Sequence, residues 1–101
     1  MGNRLDLQSL LETALGSDKV YFQPPPSFQM IYPCIVYQRS NAITSFADNN
    51  PYLYQKQYAI TVIDKDPDSL IPDKIAKFPK CIFDRNFVTD NLNHDVFILF
   101  F

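Results

Sequence analysis

Asp64, Asp66 and Asp68 alternate as the first ligands of a calcium loop do. An EF-hand loop also needs glycine at its sixth position and glutamate at its twelfth. Ser69 and Ile75 stand there, so the acidic run reads as a helix start, where negative charge meets the positive end of the helix dipole. His94 is the only histidine, and Cys34 and Cys81 are the only thiols. A nucleophilic thiol needs a base and electropositive surroundings. Both cysteines instead fall in strands among apolar residues, and His94 falls at a hairpin end. With Gly2 and Gly16 as its only glycines, the chain has neither a GxGxxG nor a Walker loop. Lys74, Lys77 and Lys80 gather near a helix C-terminus, where cations complement the dipole. No catalytic residue, cofactor site or metal ligand is assigned. The chain reads as a non-enzyme without a cofactor.

The elements that hold these residues must fit one domain, because 101 residues make one ordinary domain, here 1–101. Apolar residues at 47% are enough to build a core. A net charge of −2 offers no clustered positive surface, which argues against specific nucleic acid and against anionic membrane as partners. Nine Phe and six Tyr without a Trp suit either a β-rich core or a protein interface. Met1-Gly2 begins like a myristoylation signal, but Asp6 stands where Ser or Thr is required. No signal-peptide core or membrane span is evident, so a cytosolic protein with two reduced, buried thiols is expected.

Leu7, Leu10, Leu11, Ala14 and Leu15 form an apolar stripe at helical spacing, predicting a helix from about Arg4 to Leu15 capped by Gly16. Pro24, Pro25 and Pro26 impose an extended crossing from that helix to the first strand. Pro33 opens that strand and Cys34 to Arg39 continue it, with Ile35 and Tyr37 on one face and Cys34 and Val36 on the other. Ser40 to Pro51 reads as a long loop carrying Ile43 and Phe46, with Asp48-Asn49-Asn50-Pro51 as its turn. A second strand follows from about Tyr52 to Ile63, its first half polar enough to project beyond the core. Asp68 or Ser69 starts a second helix, with Pro72 near its beginning and Ile71, Ile75 and Phe78 as its buried stripe. That helix ends at about Phe78, before Pro79. The last quarter is a hairpin: a strand from Lys80 to Val88 with Cys81, Phe83 and Phe87 on one side, a turn in Thr89 to Asn93, and a strand from Asp95 to Phe101. The final strand is apolar on both faces, as in a doubly covered strand or a contact with another chain. The expected fold is α+β in the order α-β-β-α-β-β, with a mixed or antiparallel four-stranded sheet packed by two helices.

Several stretches together resemble a known family. They are Leu7-Gln8-Ser9-Leu10-Leu11, Val20-Tyr21-Phe22-Gln23-Pro24-Pro25, Tyr32-Pro33-Cys34-Ile35-Val36-Tyr37, Tyr58 through Ser69, and Asp90 through Asp95. Spread over nearly the whole length, they are similar to the small tail terminator or tail-completion (head-tail joining) proteins of long-tailed bacteriophages and prophages. The resemblance implies a compact subunit that closes into a ring, commonly a hexamer, at the head-proximal end of the tail tube. There it would stop tube polymerisation and meet the head connector. The implied partners are copies of itself, the tail tube protein and the head-connector protein. Its implied location is the host cytoplasm during assembly and then the tail or neck of the virion. The chain is short beside the larger members, which implies reduced tube-contacting extensions. Ile43 and Phe46 on the long loop, Tyr52, Tyr54 and Lys56 at the start of the second strand, and Phe101 at the apolar end are the expected contact residues. Two other readings stay open: a neck or minor capsid protein at another station of the head-tail interface, and a host-directed binding module that docks through its tyrosine-rich strand.

Overall fold

Helix α1 spans Arg4–Leu15, the bounds the apolar spacing predicts. Leu7 and Leu11 are fully buried and Ala14 nearly so. Leu10 lies at the rim of the stripe and is largely exposed, so the buried face is narrower than the sequence pattern. Gly16 ends the helix with φ +82°, and its N–H donates to the Glu12 carbonyl at 2.8 Å. The computed structural model describes residues 4–25, 29–47 and 50–101, with side chains over all of these except 41–55.

Among the described residues the sheet has five strands, not four: β1 (Val20–Phe22), β2 (Cys34–Ala47), β3 (Asn50–Asp64), β4 (Cys81–Thr89) and β5 (Leu92–Phe100). Their spatial order is β1-β2-β3-β5-β4. β1 pairs parallel to β2, with Val20 opposite Ile35, and the other pairs are antiparallel, so the sheet is mixed. A three-residue strand shows too little alternation to be read from sequence. Its neighbour across 11 residues of chain is what makes it a strand. With two helices among the described residues, the fold is a small α+β domain.

The buried cluster lies on the helix side of the sheet. Period-2 alternation points Ile35 and Tyr37 of β2, Tyr58, Ile60 and Val62 of β3, and Phe97 and Leu99 of β5 toward α1, where they join Leu7, Leu11, Val20 and Ile75. β5 is an interior strand between β3 and β4, with Val96, Phe97 and Leu99 buried. That accounts for its apolar run: the segment is core. It begins at Leu92 rather than Asp95 because the β4–β5 turn has only two central residues, Asp90 (φ 52°) and Asn91 (φ 61°). Two positive φ values define the turn whose twist suits a hairpin.

Helix α2 is short, Ile71–Ala76, where the sequence suggests a helix reaching Phe78. Leu70 is its N-cap and makes no side-chain cap bond, while Pro72 sits in the first turn. The upstream polar groups are engaged in successive turns. Asp64 Oδ1 accepts from the Asp66 N–H, Asp66 Oδ1 from the Asp68 N–H, and Ser69 Oγ from the Ile71 N–H. Such bonds compete with helix formation and favour turns, which delays the helix start to Ile71.

On β4 the ladder shifts register between Phe83 and Arg85. One extra residue reverses the alternation beyond it. Phe83 therefore pairs with Phe97 on the helix side, while Phe87 pairs with His94 on the opposite face. The expected single face of Cys81, Phe83 and Phe87 is split.

Candidate interaction surface

The long loop expected at Ser40 to Pro51 is mostly strand. β2 and β3 stay paired from Cys34 opposite Ile63 out to Ala47 opposite Asn50, with irregularities near Ser40 and at Ser45/Phe46. β1 reaches only Tyr37 of β2, and the β5 ladder on β3 stops at Gln57. The stretches Asn41–Ala47 and Asn50–Gln55 therefore pair only with each other among the described residues. They form a two-stranded arm reaching roughly 20 Å past the sheet at about 3.3 Å per residue. The molecule measures 51 × 25 × 23 Å. Its radius of gyration, 14.6 Å, exceeds the roughly 13 Å of a compact chain this long. The sequence there lacks the apolar–polar alternation by which a half-buried strand is recognised. The segment thus reads as loop in sequence.

Of the expected contact residues, Ile43, Phe46, Tyr52 and Tyr54 have their backbones on the arm, and their side chains lie outside the described residues. Lys56 and Phe101 meet at the arm's root, where the Phe101 N–H donates to the Lys56 carbonyl at 3.0 Å. Phe101 also packs against the buried cluster. These two residues anchor the arm to the sheet.

A second surface lies across the sheet and is missing from the sequence reading. β4 is an edge strand, and Ile82 (58%), Phe83 (53%) and Val88 (62%) are more than half exposed. The register shift puts Ile82 and Phe87 on one face and Phe83 and Val88 on the other, so both faces carry apolar groups. Phe83 meets Phe97 edge-to-face at 5.5 Å, and Phe87 stacks on His94 at 4.6 Å. Asp84 and Arg85 pair with each other at 2.6 Å, so the middle of the edge is close to neutral. The two ends of β4 are as apolar as a buried strand, and the strand order reveals their exposure.

The groups with chemical potential are otherwise engaged. Burial, with a smaller contribution from the charge of Asp64, pushes the Cys34 thiol up to about 11. Burial also raises Cys81. Each cysteine is the first residue of its strand rather than interior to it, and Cys81 is half-buried. High thiol pKa values oppose thiolate formation at neutral pH. His94 Nδ1 lies 3.1 Å from the Leu92 carbonyl, the distance of a ring N–H donating to it. No group of three or more His, Cys, Asp or Glu that could hold a metal ion occurs among the described residues. What the geometry leaves available is a projecting ribbon and an apolar sheet edge. No family model, curated protein or solved structure matches the chain.

Proposed function

We propose that this protein is a non-enzymatic virion assembly subunit of a long-tailed bacteriophage or prophage. Copies of it form a ring at the head-proximal end of the tail tube, end tube polymerisation and join the tail to the head connector. The arm built from Asn41–Ala47 and Asn50–Gln55 carries the reading. An isolated two-stranded hairpin is marginally stable in water, so a long one extended from a small domain suits a subunit that completes itself against a neighbour. A ring follows when such a contact joins two different surfaces and its rotation closes. The sequence resemblance supplies the tail and the hexamer. The partners are then its own copies, the tube protein and the connector protein. Assembly takes place in the host cytoplasm and ends in the virion neck. No helix among the described residues is long and apolar enough to cross a membrane.

Electron microscopy of particles from a phage lacking this gene tests the proposal. Overlong tails are expected if the ring terminates the tube, and unjoined heads and tails if it only connects them. Joined particles with tails of normal length would sink it.

A further inference from the structure

We propose that the arm of one copy adds to the outer edge of β4 of the next copy, so that a single head-to-tail contact pairs the free edge of β4 with one free edge of the arm. The inference rests on the ring reading and names the surfaces that build it.

Both halves of the contact are present in one chain. The donor is the arm, whose strands have no third neighbour over Asn41–Ala47 and Asn50–Gln55 among the described residues. The acceptor is β4, a nine-residue edge strand. The sheet's other edge, β1, has three residues, and a short edge strand protects itself by offering few free backbone groups. β4 is not short, and its one interruption is the register shift between Phe83 and Arg85. It is long, its central charges neutralise each other, and Ile82, Phe83 and Val88 stand exposed beside its free backbone. A long apolar edge of this kind is a template for another strand.

The dimensions agree. Six or seven arm residues extend roughly 20 Å and β4 roughly 30 Å, so the arm fits within the acceptor. The chain exposes 6499 Å², against about 5,900 Å² for a folded monomer of 11.7 kDa. The excess of roughly 600 Å² approaches the about 800 Å² that each partner gives up in a standard interface. Pairing β4 with β4 of a second copy about a two-fold axis would leave the arm uncovered. Pairing arm with arm would leave β4 uncovered. The arm-on-β4 contact engages both surfaces, the edge of β4 and one edge of the arm. Because it joins unlike surfaces, it propagates from copy to copy until it closes.

Two variants of the full chain test it by mixing. In the first, Ile82→Lys with Val88→Lys puts charges on the acceptor edge at exposed positions. In the second, residues Ile43 to Gln55 are replaced by Asn-Gly, a two-residue hairpin turn that removes the donor and keeps the Arg39–Tyr58 pairing. Circular dichroism establishes that both fold. Sedimentation equilibrium is expected to show association of the natural chain, at least 100-fold weaker association of each variant alone, and a one-to-one heterodimer on mixing, since the mixture restores one good contact. Association of the arm-less variant by itself would overturn the proposal in favour of β4–β4 pairing. Association of the lysine variant by itself would overturn it in favour of arm–arm pairing. A mixture that stays monomeric also refutes it, as does a natural chain monomeric at about 1 mM, the weak end of specific affinity. Normal tails without the gene would remove the virion reading and leave this contact standing; a failed mixing experiment would do the reverse.

Discussion

The hydroxyl of Tyr37, fully buried on β2, donates to Gln8 Oε1 on α1 at 2.5 Å. Gln8 Nε2 in turn donates to the Val20 carbonyl at 3.0 Å, and Arg4 Nη1 donates to the Tyr37 oxygen at 3.2 Å. The Arg4 guanidinium also lies 4.6 Å from the centre of the Phe22 ring. One side chain thus ties the helix to both strands of the parallel pair. Tyr37→Phe removes the donor to the half-buried Gln8 Oε1 and is expected to cost about 0.5–1.5 kcal/mol, the net worth of one hydrogen bond. Urea unfolding measures it, with the slope unchanged.

Gly16 isolates the energetics of backbone conformation. Its φ is +82°, and a methyl group added there would meet nothing within 4 Å. Gly16→Ala therefore pays for the left-handed conformation alone, about 1 kcal/mol. Thermal unfolding should shift down by about 4–8 °C for a chain of this size. A shift near zero would mean that the helix end relaxes to another cap.

The Asp90-Asn91 turn offers a substitution in the stabilising direction. Both residues hold positive φ, and glycine is preferred at the second position of such a turn. Asn91→Gly is expected to raise stability by a few tenths of a kcal/mol to about 1 kcal/mol. Asn91→Val should lower it by about 1–2 kcal/mol, the left-handed penalty for a side chain branched at Cβ. Denaturant midpoints of the pair should move in opposite directions.

The two thiols should separate by reactivity. Cys34 is fully buried with its pKa raised to about 11, and Cys81 is half-buried with a smaller barrier to reagents. At pH 8 an alkylating reagent should modify Cys81 first, and Cys34 only on unfolding. The linkage has a definite sign. The folded pKa of Cys34 lies above its ordinary value of 9.0, so the folded state keeps the proton more tightly. Stability from this group is present below pH 9 and declines as pH rises through 9 toward 11. Replacing Cys34 with Ala should flatten the alkaline stability profile over that interval.

Much of the molecule is legible along the chain because local patterning reports which face a residue takes. Leu7, Leu11 and Ala14 set α1, Gly16 ends it, and Ile35, Tyr37, Tyr58, Ile60 and Val62 alternate into the core. The apolar tail announces a strand that is either covered on both faces or in contact with another chain, and the fold places β5 between β3 and β4 with Val96, Phe97 and Leu99 buried. Part of the candidate contact surface is legible too: the polar first half of β3 is expected to project, and it forms one strand of the arm.

What only the tertiary structure decided are the relations between distant segments. β1 is a strand because Val20 finds Ile35. Ser40 to Ala47 is a strand because β3 runs beside it, not because a core imposes alternation. Phe83 and Phe87 part company at a register shift that no residue type marks. Above all, β4 and β5 have similarly apolar sequences, yet one is an exposed edge and the other an interior strand. Side-chain chemistry selects the strand and its faces, while neighbours and edges follow from which strands pair, a property of the whole sheet.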